Sequence, residues 1–518
     1  MTDQVSDVIV IGSGFGGAIP ASHLIDAGFK VTLLERGPWR DTLPVRSMGI
    51  KNRAKFPQGR KFFTNILRSA HAPLLPRDGV RINARGMYEF FVNKGITNIC
   101  TSSVGGGSHA YSGLNQRPIV ENYWDGHAED VSSDGMETYY QAVMAKLGSH
   151  HRLPEDKIPN TTTELFASSD VFSDVNGYDA PAFGLLFPKE PGHPKKVVTE
   201  DGIERMESAY DDDSFLGSAG GVKSSLDFIY LAGAIKKGLT VRDLCEVTRI
   251  ERVGEGNEAL YRVEVMDHQA ICQKSFYARK VIVAAGAMNT LKLLFHSLYT
   301  GGLSGMPRLG RGIGSNGDYG GYWSLDQEGA DFTRGMTIHG PIGVKGIEKT
   351  YLVLGGVVGL QHVPLLPKKL RRRIGRDAFL GGMGPDACDG IATYHQGRLS
   401  ITYDASNSPI FDDIRRALEI AGKASGKRVR YLETPFTVHT CGGACLGSDI
   451  DHGVINANGE IFDNPGLFVT DAAALPAAPG GPPSMTIAAW ASHVAQRMIE
   501  QRDAGSPTPI GGEAVTAA

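Results

Sequence analysis

Cysteine is scarce. The 518-residue chain has six (Cys100, Cys245, Cys272, Cys388, Cys441 and Cys445), and so few in so long a chain do not form a disulfide framework. Cys441 and Cys445 lack two further soft ligands at zinc spacing, so no metal site is expected. Excess charge of one sign is also missing. Fifty-three Lys and Arg stand against 56 Asp and Glu, a formal charge of −3, which gives no footing for a nucleic-acid partner. No apolar stretch reaches the roughly 18 residues that span a bilayer. The apolar run near the N-terminus lacks a basic n-region and a cleavage site. The expected compartment is therefore the cytoplasm, with export by an unusual route left open. There is no internal repeat.

Glycine, by contrast, is abundant at 66 residues, in a chain that is 41% hydrophobic and 21% charged, as expected of a globular protein with a large core. The glycines of interest are Gly12–Gly17, Gly105–Gly107, Gly442–Gly443 and Gly480–Gly481, where backbone can approach a neighbour closely. Gly12-Ser13-Gly14-Phe15-Gly16-Gly17 follows the apolar run Val8–Ile11 and opens a small-residue helix. Gly12 permits the tight turn, Gly14 lets backbone approach a pyrophosphate, and Gly17 allows close helix–strand packing. The helix N-terminus offers free N–H groups and a positive dipole end to an anion. A second strand, Val31–Leu34, ends at Glu35, eighteen positions past Gly17 and close to the roughly twenty expected for an acid on a ribose diol. That acid disfavours a 2′-phosphate and argues against NADP.

Gly28 is placed to end the first helix. Arg40–Gly86 is rich in Pro, Arg and Lys and reads as long loops with short helices, a lid over a pocket. Asp125–Ser149 includes a helical pattern through Tyr139, Val143 and Leu147, and Ser149–Gly221 reads as irregular. Ser224–Asp227 starts a helix that Lys236, Lys237 and Gly238 close. Val241–Val253 and Tyr261–Val265 read as a small hairpin layer. Lys280–Ala287 repeats the strand–glycine–helix theme, with an apolar run that fits a strand buried on both faces of a parallel sheet. From Arg308 to Leu432 the pattern changes to alternating strands such as Thr350–Val358 and Arg398–Tyr403, an antiparallel sheet capped by helices. Pro364–Gly375 is short and basic: a solvated helix face is the first reading, and weak contact with an anionic membrane surface the second.

Chemistry gathers near the C-terminus. Phe436-Thr437-Val438-His439-Thr440-Cys441-Gly442-Gly443 precedes Leu467-Phe468-Val469-Thr470-Asp471, then Pro479-Gly480-Gly481-Pro482-Pro483 and a helix through Thr486–Ile499. An imidazole is the side chain best suited to take a hydroxyl proton near neutral pH, although a histidine taken alone is as readily structural.

The order of these segments resembles the glucose–methanol–choline (GMC) oxidoreductase family, most closely its cholesterol-oxidase-like branch. The match runs through Gly12–Glu35, Val104-Gly105-Gly106-Gly107-Ser108, Ser225-Leu226-Asp227 with Tyr230-Leu231-Ala232, Val281–Ala287, and His439 through Ile487, with the substrate region matching poorly. The resemblance implies an α/β fold, α+β overall, with a Rossmann-like FAD-binding domain interleaved with an antiparallel-sheet substrate domain. By that reading 1–40, 85–120, 220–305 and 433–505 bind FAD, 41–84 is the lid, 121–219 and 306–432 bind substrate, and 506–518 is a disordered tail.

It also implies site roles. Gly12, Gly14, Phe15, Gly16, Gly17, Glu35 and Arg36 would hold pyrophosphate and adenosine, with Val247 by the adenine. Gly105, Gly106, Gly107 and Ser108 would lie near the flavin ring, and Ala285 and Gly286 would form the second glycine turn. Asp471 would contact the ribityl chain or diphosphate, and Pro482 and Ser484 would lie at the flavin's pyrimidine side, where the last helix aims its dipole. His439 falls where the family's active-site histidine sits. The implied reaction oxidises a lipophilic alcohol to a carbonyl, hydride passing to flavin N5 and electrons then to oxygen or another acceptor. His109 sits one residue from the position, nearer Ala110, at which some relatives link flavin covalently, so non-covalent FAD is expected.

Three departures qualify the likeness. Pro482 stands where the family carries Asn or a second His, the strand at Tyr351–Val357 has no acid where cholesterol oxidases place a glutamate, and Tyr111 stands where that branch carries Asn. A sterol oxidase coupled to isomerisation is therefore disfavoured. Alternatives are a flavin enzyme that reduces or isomerises a conjugated carbonyl compound, or a flavin-binding protein with little turnover.

Overall fold

The computed structural model describes residues 5–151, 171–173, 182–190, 192–209, 214–333, 336–431 and 433–505. The expected tail at 506–518 lies outside them, as does part of the stretch read as irregular. The first unit forms as its pattern requires: β1 (Ser6–Ile11), α1 (Phe15–Asp26) and β2 (Val31–Leu34), with Gly28 at φ +84° just past the helix. β1 and β2 run parallel, Val8 opposite Val31 and Ile11 opposite Leu34. On its other side β1 pairs parallel with the strand Cys272–Val283, which in turn pairs parallel with Leu467–Val469. Val8, Ile9, Val10, Val281, Ile282 and Val283 are wholly buried, because a parallel sheet covered on both faces takes near-continuous aliphatic runs. The C-terminal helix Ser484–Gly505 packs on α1, and its Trp490 Nε1 donates to Val469 O at 3.1 Å. Both ends of the chain thus build one sheet.

The expected hairpin of Val241–Val253 with Tyr261–Val265 forms, from Cys245 onward, but as part of this main sheet and not as a layer of its own. Thr240–Arg242 runs parallel beside β2, the chain turns at Leu244 (φ +55°), and Cys245–Val253 continues antiparallel to Leu260–Asp267 and so to Cys272–Val283. Strand alternation is the same before and after Leu244, so the pattern does not reveal the break. Likewise the expected helix after Ser224 is divided at Tyr230 into Leu226–Ile229 and Leu231–Lys236.

The 41–84 stretch holds the expected loops and short helices, Leu43–Ser47 and Phe62–Ile66, but also two strands. Leu67–His71 and Val80–Arg81 are strands of a five-stranded sheet with Tyr88–Val92, Thr97–Thr101 and Phe436–Thr437. Leu67-Arg68-Ser69-Ala70-His71 has too little apolar alternation to announce a strand, and pairing with Tyr88–Val92 makes it one.

A six-stranded sheet is antiparallel, in the order Arg428–Tyr431, Tyr319–Ser324, Ala378–Met383, Ile347–Gly355, Ile338–Val344 and Phe172–Ser173. Helix Ile410–Ser425 covers one face through Ile410, Phe411, Ile414, Ala417, Leu418 and Ala421, the spacing of a helical stripe. Gly321 and Gly382 face that helix: a Cβ on Gly382 would meet Ile414 at 2.8 Å, and one on Gly321 would meet Leu418 at 3.4 Å. A further four-stranded sheet joins Arg398–Thr402, Gly390–His395 and Arg311–Gly314 to Cys441–Gly443. Strands from the 306–432 region therefore pair directly with the segment that follows His439. The basic helix Lys368–Ile374 buries none of its residues. Among the described residues no helix is long and apolar enough to cross a membrane.

Candidate functional site

One cavity of about 1660 Å³ runs from Glu35 and Val247 past the glycine turns to His439 and the antiparallel sheet. The glycines beside it divide by what a side chain would meet. At Gly12 (φ +96°) a Cβ would lie 2.1 Å from Ala284 O, at Gly16 2.7 Å from Thr470 O, and at Gly17 2.0 Å from Gly12 O. Those three are closed by protein and let β1, α1 and the strands ending at Val283 and Val469 meet. At Gly14 the nearest atom, Gly106 Cα, is 3.9 Å away, and at Gly286 nothing lies within 4 Å. These two line the cavity and leave space that a ligand, not the protein, would fill. Gly106 is different again: its Cβ would meet Gly14 Cα at 2.6 Å, so the two glycine loops abut.

Glu35 is buried, and its carboxylate accepts Ser13 N–H (3.0 Å), Ser13 O–H (2.7 Å) and Gly37 N–H (2.7 Å). Burial raises its pKa against those three donors. With about four acceptor sites on a carboxylate, Glu35 holds the turn together and retains room for one further donor from the cavity. Arg36, expected to bind cofactor, lines the cavity but is already paired: its Nη2 lies 2.6 Å from Glu89 Oε2 and its Nη1 donates to Asn289 Oδ1 at 3.0 Å. Glu89 also accepts from Ser69 (2.7 Å) and sits 2.9 Å from His71. Burial opposes its charge, yet Arg36 beside it holds the carboxyl well below the usual range.

In the second loop, Arg40 is wholly buried and donates to Ser103 Oγ (2.7 Å), Ser102 O (2.8 Å) and Gly86 O (3.1 Å), pinning the chain just before Val104. Gly106 and Gly107 line the cavity, whereas Gly105, Ser108 and Gly17 lie behind its wall. Ser108 donates to Gly105 O (2.6 Å) and accepts Leu226 N–H (3.0 Å). Two segments that carry the resemblance thus meet each other, and Ser108 supports the loop. His109 does not reach the cavity either. It bonds Val104 O at 2.7 Å and lies 3.6 Å from Asp227, and burial pushes His109 down and Asp227 up. Ala110 lines the cavity instead.

At the centre, Asp471 accepts Gly286 N–H (2.7 Å) and the Thr290 hydroxyl on one oxygen and Ala473 N–H (2.9 Å) on the other. Burial pushes its pKa up to about 6. Asp471, Ala285, Gly286, Pro482 and Ser484 all border the cavity. Ser484 Oγ, at the start of the last helix, is buried with no hydrogen-bond partner among the described residues. An unpartnered hydroxyl at the cavity wall is what a bound polar group would satisfy.

His439 also lines the cavity. Its Nδ1 lies 2.8 Å from Asp318 Oδ1, and its backbone N–H donates to Thr437 Oγ1 at 2.8 Å. Pro482 shares the cavity and brings no side-chain donor or acceptor there. The far wall is apolar, with Ile338, Val353, Val357, Phe379 and Met383. The Phe379 ring lies over Gly320 and Gly381, where a Cβ would meet it at 2.7 Å in each case. Two glycines on paired strands therefore make room for one flat aromatic floor. Tyr111 lines the cavity and meets Phe15 edge-on at 5.6 Å. Sequence reasoning missed Asp318, Glu89, Asn289 and Phe379. Only Asp318 carried a local signal, the turn-forming Ser315-Asn316-Gly317 before it, and nothing in that turn points to His439, 121 positions away.

Two family models match the chain, both described as GMC oxidoreductase: the N-terminal part over residues 189–314 and the C-terminal part over residues 416–491. The chain is 24% identical to a cholesterol oxidase of Mycobacterium tuberculosis, over 98% of this chain and 93% of the relative. It is 21% identical to a cholesterol oxidase of Acinetobacter baumannii, over 94% and 93%. A long-chain-alcohol oxidase of Arabidopsis thaliana is 26% identical over 21% of this chain and 15% of the relative. A solved structure of a fungal aryl-alcohol oxidase superposes with a TM-score of 0.58 at 11% identity, covering 97% of this chain and all of that one. Its likeness is one of fold. With both GMC oxidoreductase models matched and the oxidase likeness running nearly end to end, the chain carries the N- and C-terminal GMC oxidoreductase regions and is an oxidoreductase.

Proposed function

We propose that the protein is an FAD-dependent oxidoreductase that converts a CH–OH group of a lipophilic, steroid- or terpenoid-like alcohol to a carbonyl, with His439 accepting the hydroxyl proton. The single observation that carries this reading is the continuity of the cavity. It joins a glycine cradle beside Glu35 to His439 under an apolar wall. The residues present fit FAD. Gly14 and Gly286 leave backbone open to phosphates, and Glu35 has acceptor capacity for a ribose hydroxyl. Ser484 Oγ awaits a polar partner. Ala110 rather than His109 borders the cavity, which supports a cofactor held without a covalent link. When bound, FAD would supply the hydride acceptor, to be reoxidised by oxygen or another acceptor.

The chain's own residues do the rest. The apolar wall orients the substrate and excludes water, and His439 takes the proton, a contribution of about 10²–10⁴ in rate for a positioned base. The test is anaerobic mixing of the holoprotein with sterols, terpenoid alcohols, aryl alcohols and sugars while flavin absorbance is followed. Bleaching by a lipophilic alcohol, slowed about a hundredfold in His439→Ala with flavin content unchanged, supports the reading. Bleaching by sugars alone, or an unchanged rate in the variant, overturns it. Pro482, which leaves the substrate oxygen one polar partner short, favours a second reading: reduction or isomerisation of a conjugated carbonyl compound. Anaerobic turnover with no external acceptor would mark isomerisation.

A further inference from the structure

His439 faces a carboxylate from the turn that leads into the strand Tyr319–Ser324. Between the strands Arg311–Gly314 and Tyr319–Ser324 the chain makes a tight turn with Asn316 and Gly317 at φ +58° and +63°. A Cβ on Gly317 would lie 2.6 Å from Gly384 O, so the turn is pressed against its neighbour. Ser315 N–H and O–H both donate to Asp386 Oδ2, at 2.7 and 2.9 Å. Asn316, fully buried, accepts Gly480 N–H (2.8 Å) and donates to Gly481 O (2.9 Å). The same turn therefore grips the segment that carries Pro482.

Asp318 ends this turn, 7% exposed. Its Oδ1 faces His439 Nδ1 at 2.8 Å. Its Oδ2 accepts Val438 N–H at 3.1 Å and lies 2.7 Å from Thr437 Oγ1. Both oxygens are engaged, so the carboxylate cannot swing away from the ring.

We propose that Asp318 is a positioning residue for His439: it holds the ring as the Nδ1–H tautomer, so that Nε2 meets the cavity with a free lone pair. The inference rests on the proposed role of His439 as base. An ionised carboxylate only accepts hydrogen bonds, and a neutral imidazole has one donor nitrogen and one acceptor nitrogen. Nδ1 beside Asp318 must therefore carry the hydrogen, and Nε2 is left as acceptor. The substrate's hydroxyl proton ends on Nε2, Asp318 stays ionised, and the imidazolium is met by a fixed negative charge. Asp318 touches no substrate atom itself.

Asp318→Asn is the informative change because its amide has one good orientation. Turned so that Oδ1 accepts Val438 N–H and faces Thr437, it presents –NH₂ to His439 Nδ1. That forces the Nε2–H tautomer, which cannot take a proton. The analogous Asp→Asn change in serine proteases lowers kcat about 10⁴-fold by this route. Here flavin reduction is expected to slow at least about a hundredfold, with flavin content, flavin spectrum and substrate Kd unchanged. Asp318→Asn with His439→Ala should be no slower than His439→Ala alone, since residues acting as a unit are not additive. A purely structural role would add to the loss.

The tautomer is read directly by ¹⁵N-histidine NMR of the purified protein, with His439→Ala to assign the signal. Nδ1–H in the wild type and Nε2–H in Asp318→Asn support the inference. Nε2–H in the wild type overturns it without any Asp318 variant, as would additive losses or a wild-type rate in Asp318→Asn beside a slow His439→Ala. A wild-type rate in His439→Ala overturns the base reading itself, and the NMR result still reports separately on the pair.

Discussion

Replacing Glu35 tests whether its carboxylate serves the fold as well as the ligand. Ser13 N–H and Gly37 N–H are both held by it, at 3.0 and 2.7 Å, in a buried turn. In Glu35→Ala both donors lose this acceptor, and a buried donor left unmade costs about 1–3 kcal/mol. The expected loss of stability in the cofactor-free protein is thus about 2–6 kcal/mol. Ser13 O–H adds little, because Ser103 O lies 3.2 Å away as a second acceptor. Glu35→Gln keeps one amide oxygen but turns –NH₂ toward one of the two N–H groups, so about half the loss remains. Denaturant unfolding of stripped protein measures this term. Titration of FAD against its fluorescence measures the other, expected to fall by about 1.5–3 kcal/mol for a charge-assisted bond to the ribose. Stability of Glu35→Ala within about 0.5 kcal/mol of wild type would refute the structural reasoning. Undiminished FAD affinity would refute the ribose contact.

Gly14→Ala should leave cofactor-free stability within about 0.5 kcal/mol of wild type, since its φ of −74° suits any residue and the nearest protein atom is 3.9 Å from the new Cβ. Flavin content should drop sharply; a fully yellow variant would remove Gly14 from the phosphate site. Gly17→Ala, with its Cβ 2.0 Å from Gly12 O, should instead lower the melting temperature before flavin is added, and an unchanged Tm would contradict the packing. Asp471 has a pKa raised by burial from 3.8 to about 6, so the native protein binds more protons than the unfolded chain between those values, and this group's contribution to stability falls as pH rises through that window. Relative to Asp471→Asn, the stripped wild type should lose about 2 kcal/mol between pH 4 and pH 7; a pH-independent difference would show that Asp471 does not titrate there. Phe379→Ala should raise KM for a lipophilic alcohol about tenfold while leaving the limiting rate of flavin reduction nearly intact, and unchanged KM would take the ring out of the substrate pocket.

Legibility followed locality. The turn Gly12–Gly17 was readable because its constraints lie within a few residues: Gly12 needs positive φ, and Gly17 packs on Gly12 itself. The buried strand at Val281–Val283 was readable because a run of aliphatic residues ending in glycine has few other homes. Leu67–His71 was not, since its strand state depends on Tyr88–Val92 beside it. Arg36 was singled out by its neighbourhood in sequence, yet its guanidinium is engaged by Glu89 and Asn289. Ser108 sat in the right loop but faces Leu226 instead of the cavity.

The chain alone therefore determined the glycine turn, the parallel core and the candidate histidine, because backbone turns and burial periodicity are local properties. Only the tertiary structure decided that Asp318 meets His439, that Asn316 grips the turn before Pro482, and that Phe379 lies flat over two glycines. Those contacts join distant segments through packing, and short-range order carries no information about which side chains packing will bring together.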